Sequence, residues 1–532
     1  MAHAADPSTG QAKPHGVAKP DLAKVARSES TTFDSPADRS VKPAPADGKG
    51  KAAAPLTADT AADITVGLKA FTISAHGLEV DTTANGTTNP VSIGFDWGDG
   101  TTGQDSGTGG QTTTTPHQYA KPGGYTIKVT VTDQVTQASS VNQIAVWTSG
   151  SHYTPYGPTR LLDTRNGTGA PQGKVPAYTA TQLKIAGNGA IPSNVTAVVL
   201  NLTVTNATSG GHITAYPNGS DRPTTSNVNF APGQTVPNLV IVPVKNGYVD
   251  LYNGGWESVD LIADVTGYFT KSASSGYTPL TPQRLVDTRI GQGTSKGQVP
   301  GYGTFTTQVA GTGYVSPGAT AVALNVTVTN PKSDGHLTVF PSGQSAPTAS
   351  NLNFTTGQTV ANSVIVPVGP DGKISVRNGA WNPTDVIVDV VGYYSKDSTN
   401  AFVPVKPSRL LDTRDGNTWA YGPLEGRGYI YMPLSDGLPH TKGFVLNSTV
   451  TNTKDSGYLA VTPDPNSLYD YKNGTEVWPP TPTSSNLNWT PGKTVPNLVQ
   501  AATGPSGIID FWNQSDGNLD LIVDIFGVYE DN

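Results

Sequence analysis

The sequence contains no cysteine among its 532 residues. This absence excludes disulfide bonds, thiolate metal sites and cysteine nucleophiles. Charged residues make up only 14% of the chain, and the net charge of −7 is opposite in sign to that of a nucleic-acid-binding surface. No apolar run approaches the roughly 20 residues that a membrane-spanning helix requires. We therefore expect neither nucleic-acid binding nor insertion into a membrane.

Two sequence motifs of common catalysts are also missing. The chain has no H-E-x-x-H zinc motif and no phosphate-binding glycine loop. Two of the eight histidines, His212 and His336, occupy the same place in a repeat described below, where the third copy has Tyr458. A phenol cannot replace a general base or a metal-ligating imidazole. We therefore expect no catalytic residue, no cofactor and no metal site.

The first part of the chain has the composition of a disordered tail. Residues 1–60 are rich in Ala, Pro, Lys, Asp and Ser and contain almost no aromatic residues. Such a segment buries too little apolar surface to offset the entropy lost on ordering. Its start, Ala2-His3-Ala4-Ala5, has the small-x-small pattern of a signal-peptidase site. We expect a secreted protein, extracellular or associated with the cell surface, whose signal peptide has been removed before Ala5.

Residues 61–149 predict a small β-sandwich. Residues 91–100 lead a strand into an Asp-Gly turn, and residues 125–133 alternate apolar and polar positions as a half-buried strand does. The segment Phe95-Asp-Trp-Gly-Asp-Gly100, followed by His117-Gln-Tyr119, resembles the PKD domain. The resemblance implies an immunoglobulin-like sandwich of the kind found in extracellular proteins.

The remaining chain is built from three copies of one sequence about 125 residues long. Each copy contains an Arg-Leu-x-Asp-Thr-Arg motif, an apolar segment ending in Thr-Asn, and a closing apolar segment around one Asp. The three Arg-Leu-x-Asp-Thr-Arg motifs begin at Arg160, Arg284 and Arg409. The copies span residues 150–272, 273–398 and 399–532, and the third has an insertion near residues 463–480.

A repeat of this length is a domain rather than a solenoid unit. The first copy has seven or eight predicted strands, near residues 160–163, 181–186, 197–205, 212–216, 227–230, 239–244, 248–252 and 259–269. Such strands predict a jelly-roll-like sandwich, so that the whole protein is all-β. An alternative packs two four-stranded blades from each copy into one β-propeller. Spacer-like residues 271–276 and 396–400 between the copies favour separate modules over a closed ring.

The repeat resembles a β-module that occurs in tandem in secreted actinobacterial proteins. The resemblance rests on the recurring motifs and covers residues 153–530. It implies export and repetition, with an accessory role rather than an activity of its own.

Charged residues recur at fixed places in each copy. Asp163 and Arg165 share one face of a strand, and the closing strand carries Asp264 on the face opposite its apolar residues. A glycosidase would use Asp163 and Asp264 as its carboxylate pair. We favour a structural role, in which Arg160 or Arg165 binds Asp264 and ties the first strand to the last, because half-buried carboxylates usually have such partners. The equivalent residues are Arg284, Asp287, Arg289 and Asp389 in the second copy and Arg409, Asp412, Arg414 and Asp524 in the third.

Asparagines also recur, and two roles are open for them. Asn amides can bind sugar hydroxyls, but at strand ends they more often close turns or satisfy nearby backbone groups. We expect turn chemistry. The recurring positions in the first copy are Asn201, Asn206, Asn227, Asn229 and Asn238.

The best candidates for ligand contact are aromatic residues on loops, because a tryptophan at a loop tip is not needed for a core. Trp256 and Trp381 lie at matching hairpin tips in the first two copies, whereas the third copy has Trp512 in the preceding strand. If one copy has diverged toward a particular partner, we expect it to be the third. A local aromatic cluster covering a long loop is the structural alternative. The remaining candidates are all in the third copy: Trp419, Tyr421, Tyr469, Tyr471 and Trp478.

Three functions remain open on the sequence alone. The first is a non-catalytic adhesion protein whose modules bind a polysaccharide or cell-wall glycan, because repeated weak sites gain avidity. The second is binding of an extracellular protein through the third copy, as in a protease inhibitor, a modulator or a surface assembly. The third is a carbohydrate-active enzyme whose site no motif reveals. We rank them in this order.

Overall fold

The computed structural model describes residues 64–415, 422–434 and 440–531, together with four short strands nearer the N-terminus. The described chain belongs to two compact units, one within residues 29–151 and the other comprising residues 152–270 and 274–531 with the first strands. No helix in these parts of the chain is long and apolar enough to cross a membrane. The four short strands are β1 (Ala5–Asp6), β2 (Gln11–Ala12), β3 (Pro14–Gly16) and β4 (Thr32–Asp34).

The smaller unit is a two-sheet sandwich. One sheet has the strand order β11-β10-β7-β8 and the other β4-β5-β6-β9. Alternate residues along these strands face one core, in which Trp97 and Tyr119 are the largest side chains. The strands are β5 (Thr65–Thr72), β6 (Gly77–Asn85), β7 (Pro90–Asp96), β8 (Thr102–Thr108), β9 (Thr112–Gln118), β10 (Gly124–Asp133) and β11 (Ser139–Trp147).

The larger unit contains three sandwich modules of the same topology. In the first, β12-β19-β14-β17 form one sheet, which we call the axial sheet, and β13-β18-β15-β16 form the outer sheet. Among the described residues no sheet closes into a barrel and the sheets do not form a β-propeller, so the prediction of sandwiches is confirmed. The strands are β12 (His152–Asp163), β13 (Ala180–Lys184), β14 (Val195–Thr205), β15 (Gly211–Pro217), β16 (Val228–Phe230), β17 (Val236–Pro243), β18 (Tyr248–Asn253) and β19 (Asp260–Thr270).

The second and third modules repeat this arrangement. Their axial sheets are β20-β27-β22-β25 and β28-β35-β30-β33, and their outer sheets are β21-β26-β23-β24 and β29-β34-β31-β32, the last extended by β3 beside β29. The second module has β20 (Gly276–Asp287), β21 (Thr304–Gln308), β22 (Ala319–Thr329), β23 (Gly335–Pro341), β24 (Leu352–Phe354), β25 (Val360–Pro367), β26 (Lys373–Asn378) and β27 (Asp385–Ser395). The third has β28 (Ala401–Asp412), β29 (Tyr429–Pro433), β30 (Thr441–Thr451), β31 (Gly457–Pro463), helix α1 (Leu468–Asn473), β32 (Leu487–Trp489), β33 (Val495–Ala502), β34 (Ile508–Asn513) and β35 (Asp520–Glu530).

The first strand of the module is the one that sequence reasoning placed least well. Its predicted core, residues 160–163, is the end of a twelve-residue strand that starts at His152. Two prolines, Pro155 and Pro158, obscure the strand pattern because proline cannot donate to a ladder. The pairing with β19 is interrupted between Pro155 and Thr159, which accommodates them.

The axial sheet is buried on both faces. One face of β19, with Leu261, Ala263 and Val265, packs into the core of its own module. The opposite face carries Asp264 and Thr266, which are also buried. A sheet covered on both sides needs partners for both sets of side chains, and the second set finds them in the neighbouring modules.

The three modules share one apolar core on this second face. It contains small and aromatic residues from the axial sheets of all three modules. The chain therefore folds into one three-module body, and the expectation of separate modules is wrong. Equivalent members of this shared core are Val199, Ala323 and Val445, and Phe269, Tyr394 and Tyr529.

Asparagine side chains close the body into a ring. Asn238 of the first module donates to Oδ1 of Asn447 in the third at 3.0 Å. Asn362 of the second donates to Asn201 of the first at 3.0 Å. Asn497 of the third donates to Asn325 of the second at 3.1 Å. Because equivalent residues meet at all three boundaries and the third module returns to the first, a pseudo-threefold rotation relates the modules.

Turn chemistry is therefore the wrong prediction for Asn201 and Asn238 and their repeats. Each boundary is also fastened to backbone, since Asn201 donates to the carbonyl of Ser350 at 2.6 Å and Asn447 to that of Ser226 at 2.8 Å. Asn206 does lie in a turn, with a φ of 55°, a left-handed conformation that asparagine tolerates. The alternation of apolar and polar residues cannot distinguish an asparagine at a module boundary, such as Asn201, from one in a turn, such as Asn206. Both lie in or beside an apolar strand.

The boundary asparagines should be essential to the stability of the larger unit. Asn497→Ala removes the donor to the carbonyl of Asn486 and to Oδ1 of Asn325, and the acceptor of the Ser363 N–H. We expect the free energy of unfolding to fall by about 3 kcal/mol, since each buried unpaired polar group costs about 1–3 kcal/mol. Thermal or denaturant unfolding measures this loss. Asn353→Ala is the control, because Asn353 is half-buried and makes only a 3.5 Å contact to Ser350; an equal loss in both variants would contradict the assignment.

Candidate functional site

The recurring Arg and Asp side chains form a closed charge cluster in every module. Arg160 donates from Nε and Nη2 to the two oxygens of Asp264 at 2.9 and 3.1 Å, and from Nη1 to Asp163 at 3.1 Å. Arg165 binds Asp163 through Nε and Nη2 at 2.8 and 2.7 Å. The same contacts join Arg284, Asp287, Arg289 and Asp389 and join Arg409, Asp412, Arg414 and Asp524.

The two carboxylates of the cluster have opposite electrostatic environments. Burial raises the pKa of Asp264, and the hydrogen bond from Arg160 partly offsets that rise. The hydrogen bond from Arg165 lowers the pKa of Asp163. Both carboxylates are already occupied by guanidinium groups, so this geometry provides a brace between the first and last strands and leaves no free acid and nucleophile pair.

The charge clusters also contribute to the module boundaries. Arg284 of the second module donates to the carbonyl of Thr483 in the third at 2.7 Å. Backbone hydrogen bonds from Ser485 and Ser226 reach Asp389 and Asp524 across two different boundaries and lower their pKa values against the effect of burial. The braces of the second and third modules therefore also contact a neighbouring module.

One serine has the spacing of a nucleophile motif. Gly293-Thr-Ser-Lys-Gly297 matches G-x-S-x-G. In that motif the serine lies on a sharp turn from a strand to a helix. Here the segment is irregular chain between β20 and β21, with no helix after it. The structure gives Ser295 no such elbow.

Arg160 should stabilise the fold, so its replacement should lower the free energy of unfolding. Arg160→Met leaves the buried Asp264 uncompensated, and we expect a loss of about 3 kcal/mol in the free energy of unfolding. Arg165→Met should cost less than about 1 kcal/mol, because Arg165 is more exposed and Asp163 keeps Arg160. Denaturant unfolding of the two variants tests this difference, and equal losses would remove the distinction.

The two predicted tip tryptophans are exposed. Trp256 and Trp381 have relative exposures of 74% and 77%. Each meets a tyrosine edge-on: the ring of Tyr178 lies 6.0 Å from that of Trp256, and Tyr302 lies 5.2 Å from Trp381. We call these two Trp–Tyr pairs the aromatic tips. Sequence reasoning missed both tyrosines, which come about 80 residues earlier in the chain than their tryptophans.

Both tips are built on a rigid backbone. The Nδ2 of Asn253 donates to the carbonyls of Val175, Pro176 and Glu257, which joins the tip loop to the loop before β13. Asn378 makes the equivalent three bonds in the second module. Tyr178 and Tyr302 have φ values of 57° and 59°, a left-handed conformation that costs about 1 kcal/mol or more for a non-glycine residue.

The third module has an ion pair where the others have an aromatic tip. Arg427 takes the place of Tyr178, with a φ of 60°, and Asp516 takes the place of Trp256. Arg427 Nε donates to Asp516 Oδ1 at 2.8 Å. The backbone of the tip is thus retained while its side chains have changed, so the body carries two aromatic tips.

The aromatic tips lie at one end of the three-module body. In each module the chain enters and leaves at the other end, where His152 pairs with Thr270 and Gly276 with Ser395. The tips come immediately before Asp260 and Asp385, at the start of the last strands. Because the modules are related by rotation, equivalent tips lie at the same height along the axis.

The aromatic residues of the third module pack on one another. Tyr431 stacks on Tyr471 with centroids 3.7 Å apart, and Tyr429 stacks on Trp512 at 4.3 Å. Trp512 is buried, and its Nε1 donates to Thr462. Trp478 meets Tyr429 edge-on. These residues form the local cluster that was the structural alternative.

The remaining candidates in the third module divide into one exposed residue and two outside the structure's coverage. Tyr469, on helix α1, has a relative exposure of 72%. Trp419 and Tyr421 lie outside the described residues.

Comparison with known proteins identifies the smaller unit. The family model of the PKD domain matches residues 68–146, which confirms the resemblance, and the chain therefore contains a PKD domain. No curated protein matches the chain significantly.

Solved structures give only distant similarity. A carbohydrate-binding module of the β-sandwich superfamily is 12% identical, with 38% of this chain and 88% of that chain covered and a TM-score of 0.14. The SusE-like protein BT2857 is 12% identical, with coverages of 38% and 96% and a TM-score of 0.12. The tandem CBM22 domain of Xyn10C from Paenibacillus barcinonensis is 12% identical, with coverages of 45% and 98% and a TM-score of 0.15. TM-scores this low carry no argument about function.

Proposed function

We propose that this is a secreted, non-catalytic binding protein that holds a polysaccharide or cell-wall glycan on its two aromatic tips. The observation that carries the proposal is the pair of exposed tryptophans, each with a tyrosine held against it in a left-handed backbone conformation. The occurrence of PKD domains in extracellular proteins supports export.

The aromatic tips have a structural cost that the fold does not require. An exposed tryptophan forgoes about 1.5–3 kcal/mol of burial. The third module keeps the same loop without either aromatic residue. A flat, rigid aromatic face with little side-chain entropy to lose suits stacking on a sugar ring.

Two tips at one end of a rigid body also suit a repeating ligand. A second contact to the same polymer is intramolecular, so two weak sites can give an avidity about 10²–10⁴-fold above either one. A single sugar can occupy only one tip, so the second tip would not increase its affinity. The expected ligand is therefore a polymer, or a surface that presents many copies of one glycan.

Loss of the tip tryptophans should abolish retention on such a polymer. We expect Trp256→Ala and Trp381→Ala each to weaken retention on insoluble polysaccharide or peptidoglycan by at least about tenfold, and the double variant to lose it. Pull-down on chitin, cellulose and purified peptidoglycan measures this. Trp147→Ala is the control, an exposed tryptophan of the PKD domain. No retention of the unaltered protein on any of these polymers, or equal loss in the control, would contradict the proposal.

Replacement of the strained tyrosines should separate stability from binding. Tyr178→Gly and Tyr302→Gly remove the strain, because glycine adopts positive φ freely, so the free energy of unfolding should stay level or rise by up to about 1 kcal/mol. Retention on the polymer should fall because the tryptophan loses its support. Unfolding and pull-down of the same preparations test both effects. Unchanged retention would show that the tyrosines have no part in binding.

A second candidate is binding of an extracellular protein through the insertion of the third module. It is favoured by the exposure of Tyr469 and Val477, two large side chains on one short insertion. Tyr469→Ser combined with Val477→Ser tests this without loss of the buried part of the insertion. If capture of a protein partner is unaffected, the insertion is not the contact.

A further inference from the structure

The third module contains two buried carboxyl groups that face each other. Asp464 follows β31 and Asp510 lies within β34, and neither side chain is exposed to solvent. The strand pairing makes the two residues neighbours: Thr462 pairs with Asp510, and the N–H of Asp464 donates to the carbonyl of Ile508 at 3.1 Å. Two carboxylates in contact repel one another, and burial in an apolar surrounding makes ionisation of both strongly unfavourable.

The surroundings of the pair offer hydrogen bonds to Asp464 alone. Its Oδ1 accepts from the N–H of Asn466 at 2.6 Å, and its Oδ2 accepts from the phenol of Tyr471. Both oxygens of Asp510 are without an N–H or hydroxyl donor among the described residues. A buried carboxylate in that position would lack both charge and hydrogen-bond compensation.

No cation balances the pair within the described part of the chain. The titratable groups that face it are Tyr429 and Tyr431 on β29 and Tyr471 on helix α1, and Glu476 of the insertion lies near the first two. All of these are neutral or acidic. No group of three or more His, Asp or Glu side chains there is arranged to hold a metal ion.

The first module contains the same contact with one group changed. Asn218 takes the place of Asp464 and Asp250 that of Asp510, and the Asn218 amide donates to Asp250 at 2.9 Å. An amide and a protonated carboxyl group have the same shape and each can donate one hydrogen bond across this gap. The second module has Ser342 and Ser375 there.

We propose that Asp510 retains its proton in the folded protein at pH values where an exposed carboxyl group has lost it, and that its O–H donates to Asp464. The acid pair then replaces the amide–carboxylate contact of the first module and acts as a pH-sensitive clamp on the insertion. Burial, followed by the proximity of Asp464, raises the pKa of Asp510 well above its ordinary value.

The clamp is connected to a module boundary. The insertion begins at Asp464, contains helix α1, and ends in the segment whose Thr483 and Ser485 carbonyls accept from Arg284 and Asn325 of the second module. Loss of the proton from Asp510 should therefore loosen the insertion and weaken the boundary between the second and third modules.

The sign of the effect follows from the raised pKa. A carboxyl group whose pKa is higher in the folded state contributes stability below its unfolded value, and that contribution is lost as pH rises through the folded value. We expect the unfolding temperature of the larger unit to fall when the pH is raised from about 4 to about 9. The fall should be at least about 3 °C larger in the unaltered protein than in its Asp510→Asn variant.

Two substitutions test the clamp from opposite directions. Asp510→Asn keeps a donor to Asp464 and should remove this pH dependence, whereas Asn218→Asp creates an acid pair in the first module and should add a smaller one, since Asn218 is half-buried. Thermal unfolding of the full-length proteins across the pH range measures both, and the fluorescence of Trp478 and Trp512 reports on the insertion. If Asp510→Asn does not fold, Asp464→Asn replaces it.

Three results would overturn the proposal. The pH dependence could be the same in Asp510→Asn and the unaltered protein, or Asn218→Asp could add none. Alternatively, calcium or magnesium ions could restore the stability lost at high pH, which would assign the pair to a metal ion instead of a proton. None of these measurements depends on glycan binding, so the clamp and the proposed function stand or fall separately.

Discussion

The second face of the axial sheet is the constraint on which the rest of this structure depends. Each module forms an ordinary sandwich core with one face of that sheet and leaves the other face covered with small, aromatic and amide side chains. Exposure of such a face to water would leave a large apolar patch. Three copies in one chain remove the problem, because a pseudo-threefold ring leaves no axial sheet uncovered.

Polar groups inside this shared core determine how the modules fit together. An apolar face alone would tolerate sliding or rotation of one module against another. The Asn238, Asn362 and Asn497 amides each have a defined partner in the next module, and a misplaced module would leave them buried and unpaired. Arg284 adds a further directional contact across the boundary between the second and third modules.

The modules differ from one another mainly outside the axial sheets. Because the axial sheets make the contacts between modules, the tip loops and the outer sheets can differ from module to module. Two modules use that freedom for a Trp–Tyr tip, while the third has an ion pair at the tip, an insertion with helix α1 and a buried acid pair. These differences lie outside the shared core.

Local sequence determined the elements of this protein. Period-two alternation and turn residues located strands of the smaller unit and seven of the eight strands of the first module, since these signals depend on neighbours in the chain. The Arg-Leu-x-Asp-Thr-Arg motif located the braces, and the loop position of Trp256 indicated its exposure. Tertiary structure alone decided that the modules share a core, that Asn238 crosses a boundary, that Tyr178 meets Trp256, and that Asp464 meets Asp510. Each of these contacts joins residues far apart in sequence, and a pattern of apolar and polar positions does not specify which distant surface covers a face.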